Sequence, residues 1–187
     1  MAQAADLRVA VLATDGFEEA ELVEPVKALR DAGAKVDVIA PHSGSIQAFR
    51  HHDKSITVPV DRTLDEVNPE DYLAVVLPGG ALNADEMRQN TKMQEFVRAM
   101  DQAQKPMAVI CHAPWELVSA GLARGRTMTS WPSVQDDIRN AGGTWVDREV
   151  VVDGNLITSR MPDDLPAFNR ELLQRLTKQH TSAAAGD

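Results

Sequence analysis

Cysteine is nearly absent from the 187 residues: one occurs, Cys111, so an internal disulfide and a multi-cysteine metal site are both excluded. A chain so poor in thiols is expected in a reducing compartment, the cytoplasm. Positive charge is also in short supply, with 19 Lys and Arg against 28 Asp and Glu and a formal net charge of −9. Recognition of a polyanion needs concentrated Lys and Arg, so nucleic acid is not an expected partner. No apolar run reaches the roughly 20 residues that cross a bilayer. Met1 to Asp6 lack the basic stretch and apolar core of a secretion signal, so no membrane partner is expected either. Internal repeats, low-complexity segments and linkers are missing, and the 43% hydrophobic content suffices for one good core. One domain over residues 1–180 is expected, with residues 181–187 as a small, polar, disordered tail.

What the chain does have is a regular alternation of β-type and helical patterns. Leu7 to Ala13 is a β-rich run, followed from Glu18 to Ala32 by Leu22, Val26 and Leu29 at helical spacing before Gly33. Lys35 to Ile39 supplies a strand, whereas Ile46 to Thr63, with its Val58-Pro59-Val60 step, reads as a small hairpin excursion. Leu73 to Leu77 and Met107 to Ile110 are compact apolar runs of the kind found in strands buried on both faces. Helices are expected over Lys92 to Gln104, up to Ala120, around Ser133 to Ala141, and over Leu165 to Gln179. Asp153-Gly154 marks a hairpin turn. The alternation predicts an α/β sandwich with a mostly parallel sheet and ligands beyond the carboxyl ends of its strands.

Three strands end in chemically useful loops. The first ends at Asp15-Gly16-Phe17-Glu18-Glu19-Ala20-Glu21, the next at Pro78-Gly79-Gly80, and the third at Cys111-His112. A thiol at a strand-to-helix corner sits at the positive end of the helix, which favours the thiolate. Paired glycines let backbone N–H groups approach a developing oxyanion. Glu18 and Glu21 share a helix face, and a protonated carboxyl beside the sulfur would stabilise its thiolate. His112 is adjacent in sequence, so its reach to the sulfur does not follow from the spacing. His51-His52-Asp53 is read as a polar loop rather than a metal site.

These segments, together with Val109-Ile-Cys-His-Ala-Pro114, Leu122-Ala-Arg-Gly125, Asp136-Asp137 and Asp153-Gly-Asn155, resemble the DJ-1/PfpI family nearly end to end. The resemblance is nearest to its PfpI-like intracellular protease and stress-protein branch. It implies a flavodoxin-like three-layer sandwich, a homo-oligomer (dimer or hexamer), and no cofactor or metal. It assigns Cys111 as nucleophile, His112 as its neighbouring histidine, and Gly79, Gly80 and the His112 backbone to the oxyanion pocket. Glu21 or Glu18 would contact the nucleophile. Asp85, with Glu86 as the shifted alternative, would orient His112 from a neighbouring subunit. Ala113 replaces a frequent glycine, and Trp131 stands where relatives often carry a substrate-site tyrosine, so no hydroxyl is available there.

Three activities are compatible with this assignment. The first is a thiol enzyme of glyoxalase III or protein deglycase type, converting methylglyoxal or glyoxal, free or as adducts on glycated protein, to lactate or glycolate. The second is a cysteine peptidase with a Cys111, His112 and Asp85 triad completed across a subunit interface. The third is a non-enzymatic redox sensor or stress chaperone using Cys111 oxidation.

Overall fold

The computed structural model describes residues 7–184. Its first half runs β1 (Arg8–Leu12), β2 (Phe17–Glu18), α1 (Glu19–Asp31), β3 (Lys35–Ala40), β4 (Ser45–Arg50), β5 (Asp53–Pro59) and β6 (Arg62–Thr63). The middle comprises β7 (Ala74–Leu77), α2 (Ala81–Met87), α3 (Thr91–Gln102), β8 (Met107–Ile110) and α4 (Pro114–Ala120). The last part holds β9 (Thr127–Met128), α5 (Gln135–Asn140), β10 (Thr144–Trp145), β11 (Val151–Asp153), β12 (Leu156–Ser159) and α6 (Leu165–Ala184).

Seven strands form the central sheet in the order β11-β12-β8-β7-β1-β3-β6. All neighbours are parallel except the β11–β12 hairpin, which turns at Gly154 with φ 59°. Because side chains alternate along a strand, β1 feeds two cores. Val9 and Val11 face Leu22, Leu29 and Phe168 of α1 and α6, while Ala10 and Leu12 face Met93, Phe96 and Leu117 on the other side. Helices therefore cover both faces, as expected for the buried runs at β7 and β8, in the three-layer arrangement that the resemblance implies. Burial of each such Leu or Phe side chain contributes about 1.5–3 kcal/mol.

The excursion is a separate three-stranded sheet, β2-β4-β5, whose hairpin turns at His51 and His52. Its expected span was longer: β5 stops at Pro59, and residues 62–63 return to the edge of the main sheet as β6. Two other differences matter. Ala81 to Met87, for which the sequence pattern predicts no helix, is helix α2, which buries Asn83, Ala84 and Met87 on one face. Helix α6 continues past Gln179 to Ala184, with Thr181 Oγ1 donating to the Thr177 carbonyl at 2.9 Å, so residues 181–184 are helical rather than a frayed tail. The alanine run there has high helix propensity, which outweighs its small, polar look. Residues 185–187 lie outside the described residues.

The chain leaves β1 for β3 on one side and later returns to β7 on the other. The loops following β1 and β7 diverge to opposite faces of the sheet, and a crevice opens above their carboxyl ends.

Candidate active site

Cys111 occupies the first position after β8 and adopts φ 65°, a left-handed conformation for a residue with a Cβ. Such a residue costs on the order of 1–3 kcal/mol and persists only where the surroundings impose it. Here its N–H donates to the Ser159 carbonyl at 3.0 Å and its carbonyl accepts from the Trp131 N–H at 2.8 Å. The turn closes with Ala113 N–H donating to the Ile110 carbonyl at 3.1 Å, and Pro114 starts α4. The thiol is thus turned out of the sheet into the crevice, where it is 5% exposed.

Glycines 79 and 80 take different parts. Gly79 N–H donates to Glu21 Oε2 at 2.8 Å and is therefore already engaged. A Cβ at Gly79 would collide with that same Oε2 and lie 2.5 Å from the Cβ of Cys111. Gly80 has φ 91°, and a Cβ there would strike the backbone of residues 16–18. The backbone amides of Gly80 and His112 are the ones that favour ionisation of the Cys111 thiol. Gly79 N–H, expected to be one of the oxyanion donors, is thus taken by Glu21, which leaves the amides of Gly80 and His112 as the candidates for that role.

Glu21, from the first turn of α1, is completely buried. Burial raises its carboxyl from 4.5 to about 8, against the opposing pull of bonds from Cys111 and Gly79 N–H. Its Oε1 has no hydrogen-bond partner among the described residues. Burial first, and then the charge of an ionised Glu21, push the Cys111 thiol up, while the Gly80 and His112 amides pull it down. Placement at a helix start therefore does not by itself produce a thiolate, contrary to the reading from sequence. Two acids so close cannot both ionise, and the pair titrates as a unit. At neutral pH Glu21 keeps its proton, so the repulsion that opposes the thiolate is removed and the carboxyl is able to donate to sulfur.

Of the two candidate glutamates, Glu21 is the one beside Cys111, and Glu18, expected on the same helix face, ends strand β2 instead. Glu18 stands half-buried on the wall of the crevice, where its Oε2 accepts the His51 N–H at 3.0 Å and so holds the β4–β5 turn over the site.

His112 does reach the sulfur: its Nδ1 lies 3.2 Å from Cys111 Sγ. The ring stacks on Trp131 at 5.6 Å between centroids and meets the edge of Trp115 at 5.3 Å. Burial lowers its pKa, so the imidazole is neutral at pH 7 and able to accept a proton. Trp115 is fixed from behind, its Nε1 donating to Asp137 Oδ2 at 3.0 Å. Neither Asp85 nor Glu86 is bonded to His112 within the chain. Asp85 faces outward on α2, and Glu86 Oε1 accepts from Thr14 Oγ1 at 3.5 Å.

The crevice has a volume of about 470 Å³, and Phe49, His51, His52, Leu82, Trp131 and Pro162 line it around Cys111 and His112. The hairpin histidines were read from sequence only as a polar loop, and their place on this wall depends on the pairing of β2 with β4. Asn83, wholly buried, was also missed, although its spacing with Met87 at i, i+4 is a helical signal. Among the described residues no three His, Cys, Asp or Glu side chains converge as metal ligands, and no helix is long and apolar enough to cross a membrane.

The sequence profile of the DJ-1/PfpI family matches residues 7–175. A deglycase of Pyrococcus abyssi is 45% identical over 91% of this chain and 99% of its own length. Protein/nucleic acid deglycase 2 of Escherichia coli is 41% identical over 90% of this chain and 97% of its own. The crystal structure of Drosophila melanogaster DJ-1beta superposes with a TM-score of 0.85 at 30% identity, covering 97% of both chains. The chain belongs to the DJ-1/PfpI family.

Proposed function

We propose that this DJ-1/PfpI family member is a cofactor-independent thiol enzyme that processes reactive 2-oxoaldehydes and the adducts they form on proteins, in the manner of a deglycase or glyoxalase III. The observation that carries the reading is the fully buried carboxyl of Glu21, which crowds Gly79 together with Cys111, while His112 Nδ1 lies 3.2 Å from the sulfur. The pair of Cys111 and Glu21 combines a nucleophile with a proton carrier whose pKa lies close to working pH.

For free methylglyoxal, the Cys111 sulfur bonds to the aldehyde carbon, and the carbonyl electron pair moves to oxygen beside the Gly80 and His112 amides. With an aminocarbinol adduct, the carbon–sulfur bond forms as the carbon–nitrogen bond breaks, and the amine leaves with a proton. In both cases a hemithioacetal results. Removal of its carbon-bound proton gives an enediol, and return of that proton to the neighbouring carbon yields a lactoyl thioester. The former aldehyde carbon is oxidised and the former ketone carbon reduced, so no external electron acceptor is needed. Water then cleaves the thioester to lactate and regenerates the thiol. Glu21 and the neutral imidazole of His112 are the two groups on hand to carry these protons.

A peptidase reading rests on one observation, the outward-facing carboxylate of Asp85 on α2, free to meet His112 of a second subunit. A homo-oligomer, dimer or hexamer, and a cytoplasmic location accompany both readings. The deciding assay incubates purified protein, free of glutathione and metal, with methylglyoxal and follows lactate, with Cys111→Ser as the blank. Thiol-dependent lactate formation that survives Asp85→Ala is the expected result. Stoichiometric modification of Cys111 without lactate overturns the carbonyl reading.

A further inference from the structure

Asn83 is fully buried in α2, and every bond that it makes goes to backbone around the crevice. Its Oδ1 accepts the Thr14 N–H at 2.8 Å, and its Nδ2 donates to the carbonyls of Pro78 at 3.0 Å and Gly79 at 3.1 Å. The orientation of the amide is forced, because the Thr14 group can only donate and the two carbonyls can only accept. An aspartate could not replace it, having no proton for either carbonyl when ionised.

The Gly79 carbonyl is also approached by the Glu18 N–H at 3.3 Å, a longer contact than the Asn83 bond. In a planar trans peptide the C=O and the following N–H point in opposite directions, so fixing one fixes the other. Fixing the Gly79 carbonyl towards α2 therefore turns the Gly80 N–H away from α2, and this amide is one of the two that favour ionisation of Cys111. Glycine on both sides leaves this peptide free to rotate if nothing holds it.

We propose that Asn83 is the positioning residue of the oxyanion pocket, locking the Gly79–Gly80 peptide so that its N–H is directed at the nucleophile before substrate arrives. It acts through the peptide and touches no reacting atom. The proposal deepens the thiol-enzyme reading and rests on it for the oxyanion served, but its test is read on the sulfur itself.

The experiment compares Asn83→Ala with Met87→Ala in the full chain. Met87 is equally buried in the same helix but packs in the core beneath it, so its truncation loosens α2 without touching Gly79. Thermal stability, the pH profile of Cys111 alkylation by iodoacetamide, and lactate formation are measured for each. Asn83→Ala is expected to shift the alkylation midpoint upward by about one pH unit, a tenfold loss of thiolate. Its kcat should fall about 10- to 100-fold at unchanged KM. Met87→Ala should lower thermal stability and move neither. Should Asn83→Ala fail to fold, Asn83→Ser is read the same way, since its hydroxyl lacks the NH2 group that serves both carbonyls. Equal alkylation profiles for the Asn83 and Met87 variants overturn the proposal. A shifted profile in a protein whose wild type makes no lactate supports Asn83 and sinks the carbonyl reading instead.

Discussion

Glu21 and Cys111 close on Gly79 from two sides, leaving no room for a Cβ between the carboxyl oxygen and the side chain of the cysteine. The glycine is required by contact here rather than by backbone conformation. Gly79→Ala must push the pair apart or displace the β7 loop. Overpacking of this kind costs about 1–3 kcal/mol. Thermal denaturation should show that loss, and iodoacetamide should show a changed alkylation rate at Cys111.

In the proposed mechanism the proton on Glu21 sets an alkaline limit to the activity. Its carboxyl, raised to about 8 by burial, is protonated below that pH and ionised above it. Lactate formation should therefore decline as pH rises through about 8. Glu21→Gln should lose about 10²- to 10⁴-fold in kcat, the usual worth of a general acid or base, and its remaining activity should lack the decline near pH 8.

The same shift enters the stability of the fold. Glu21 is protonated in the native state and ionised in the unfolded chain between the ordinary carboxyl value of 4.5 and about 8. Folding takes up a proton in that window, so the contribution is fully present below pH 4.5 and is lost as pH rises through about 8. Glu21→Gln should flatten the slope of unfolding free energy against pH between those limits, measured by urea denaturation.

Glu116 offers a contrasting case. It lies fully buried in α4, neither carboxyl oxygen has a hydrogen-bond partner among the described residues, and burial raises its pKa well above 4.5. An unsatisfied buried polar group costs about 1–3 kcal/mol, so Glu116→Leu should stabilise the protein by that order, with the gain largest at alkaline pH. Urea midpoints at pH 6 and pH 9 provide the check, and a loss of stability at both would show that the carboxyl has an unseen partner.

Trp131 keeps His112 out of water by stacking on it. Since burial is what lowers the imidazole pKa, Trp131→Ala should raise the His112 titration midpoint towards 6.5, followed by NMR. An unchanged midpoint would assign the shielding to Trp115 alone.

Much of this arrangement can be read from the chain before any coordinates. Cys111, the glycine pair and the first-helix glutamates sit at the ends of apolar runs, and strand ends in a parallel sheet converge by topology. The reach of His112 to the sulfur could not be read, because it depends on the left-handed turn at Cys111, which bonds from Ser159 and Trp131 impose from distant parts of the chain. Choosing Glu21 over Glu18 likewise required knowing that Glu18 ends the short strand β2, so that only Glu21, in the first turn of α1, turns inward. Asn83 escaped notice because its helix is short and begins straight after a glycine, leaving only two turns of periodicity. The hairpin histidines reach the crevice through β2, a strand of two residues with no signature of its own.

The size of the crevice restricts which damage the protein could repair. With about 470 Å³ beside a cysteine that is only 5% exposed, the sulfur would be reached by the tip of a side chain rather than by a folded surface. A modified residue would have to project on a loop or terminus to be serviced, and the same lesion on a flat sheet or in a packed core would persist. Protection of this kind would be uneven across a proteome, favouring the protruding segments that meet reactive aldehydes first.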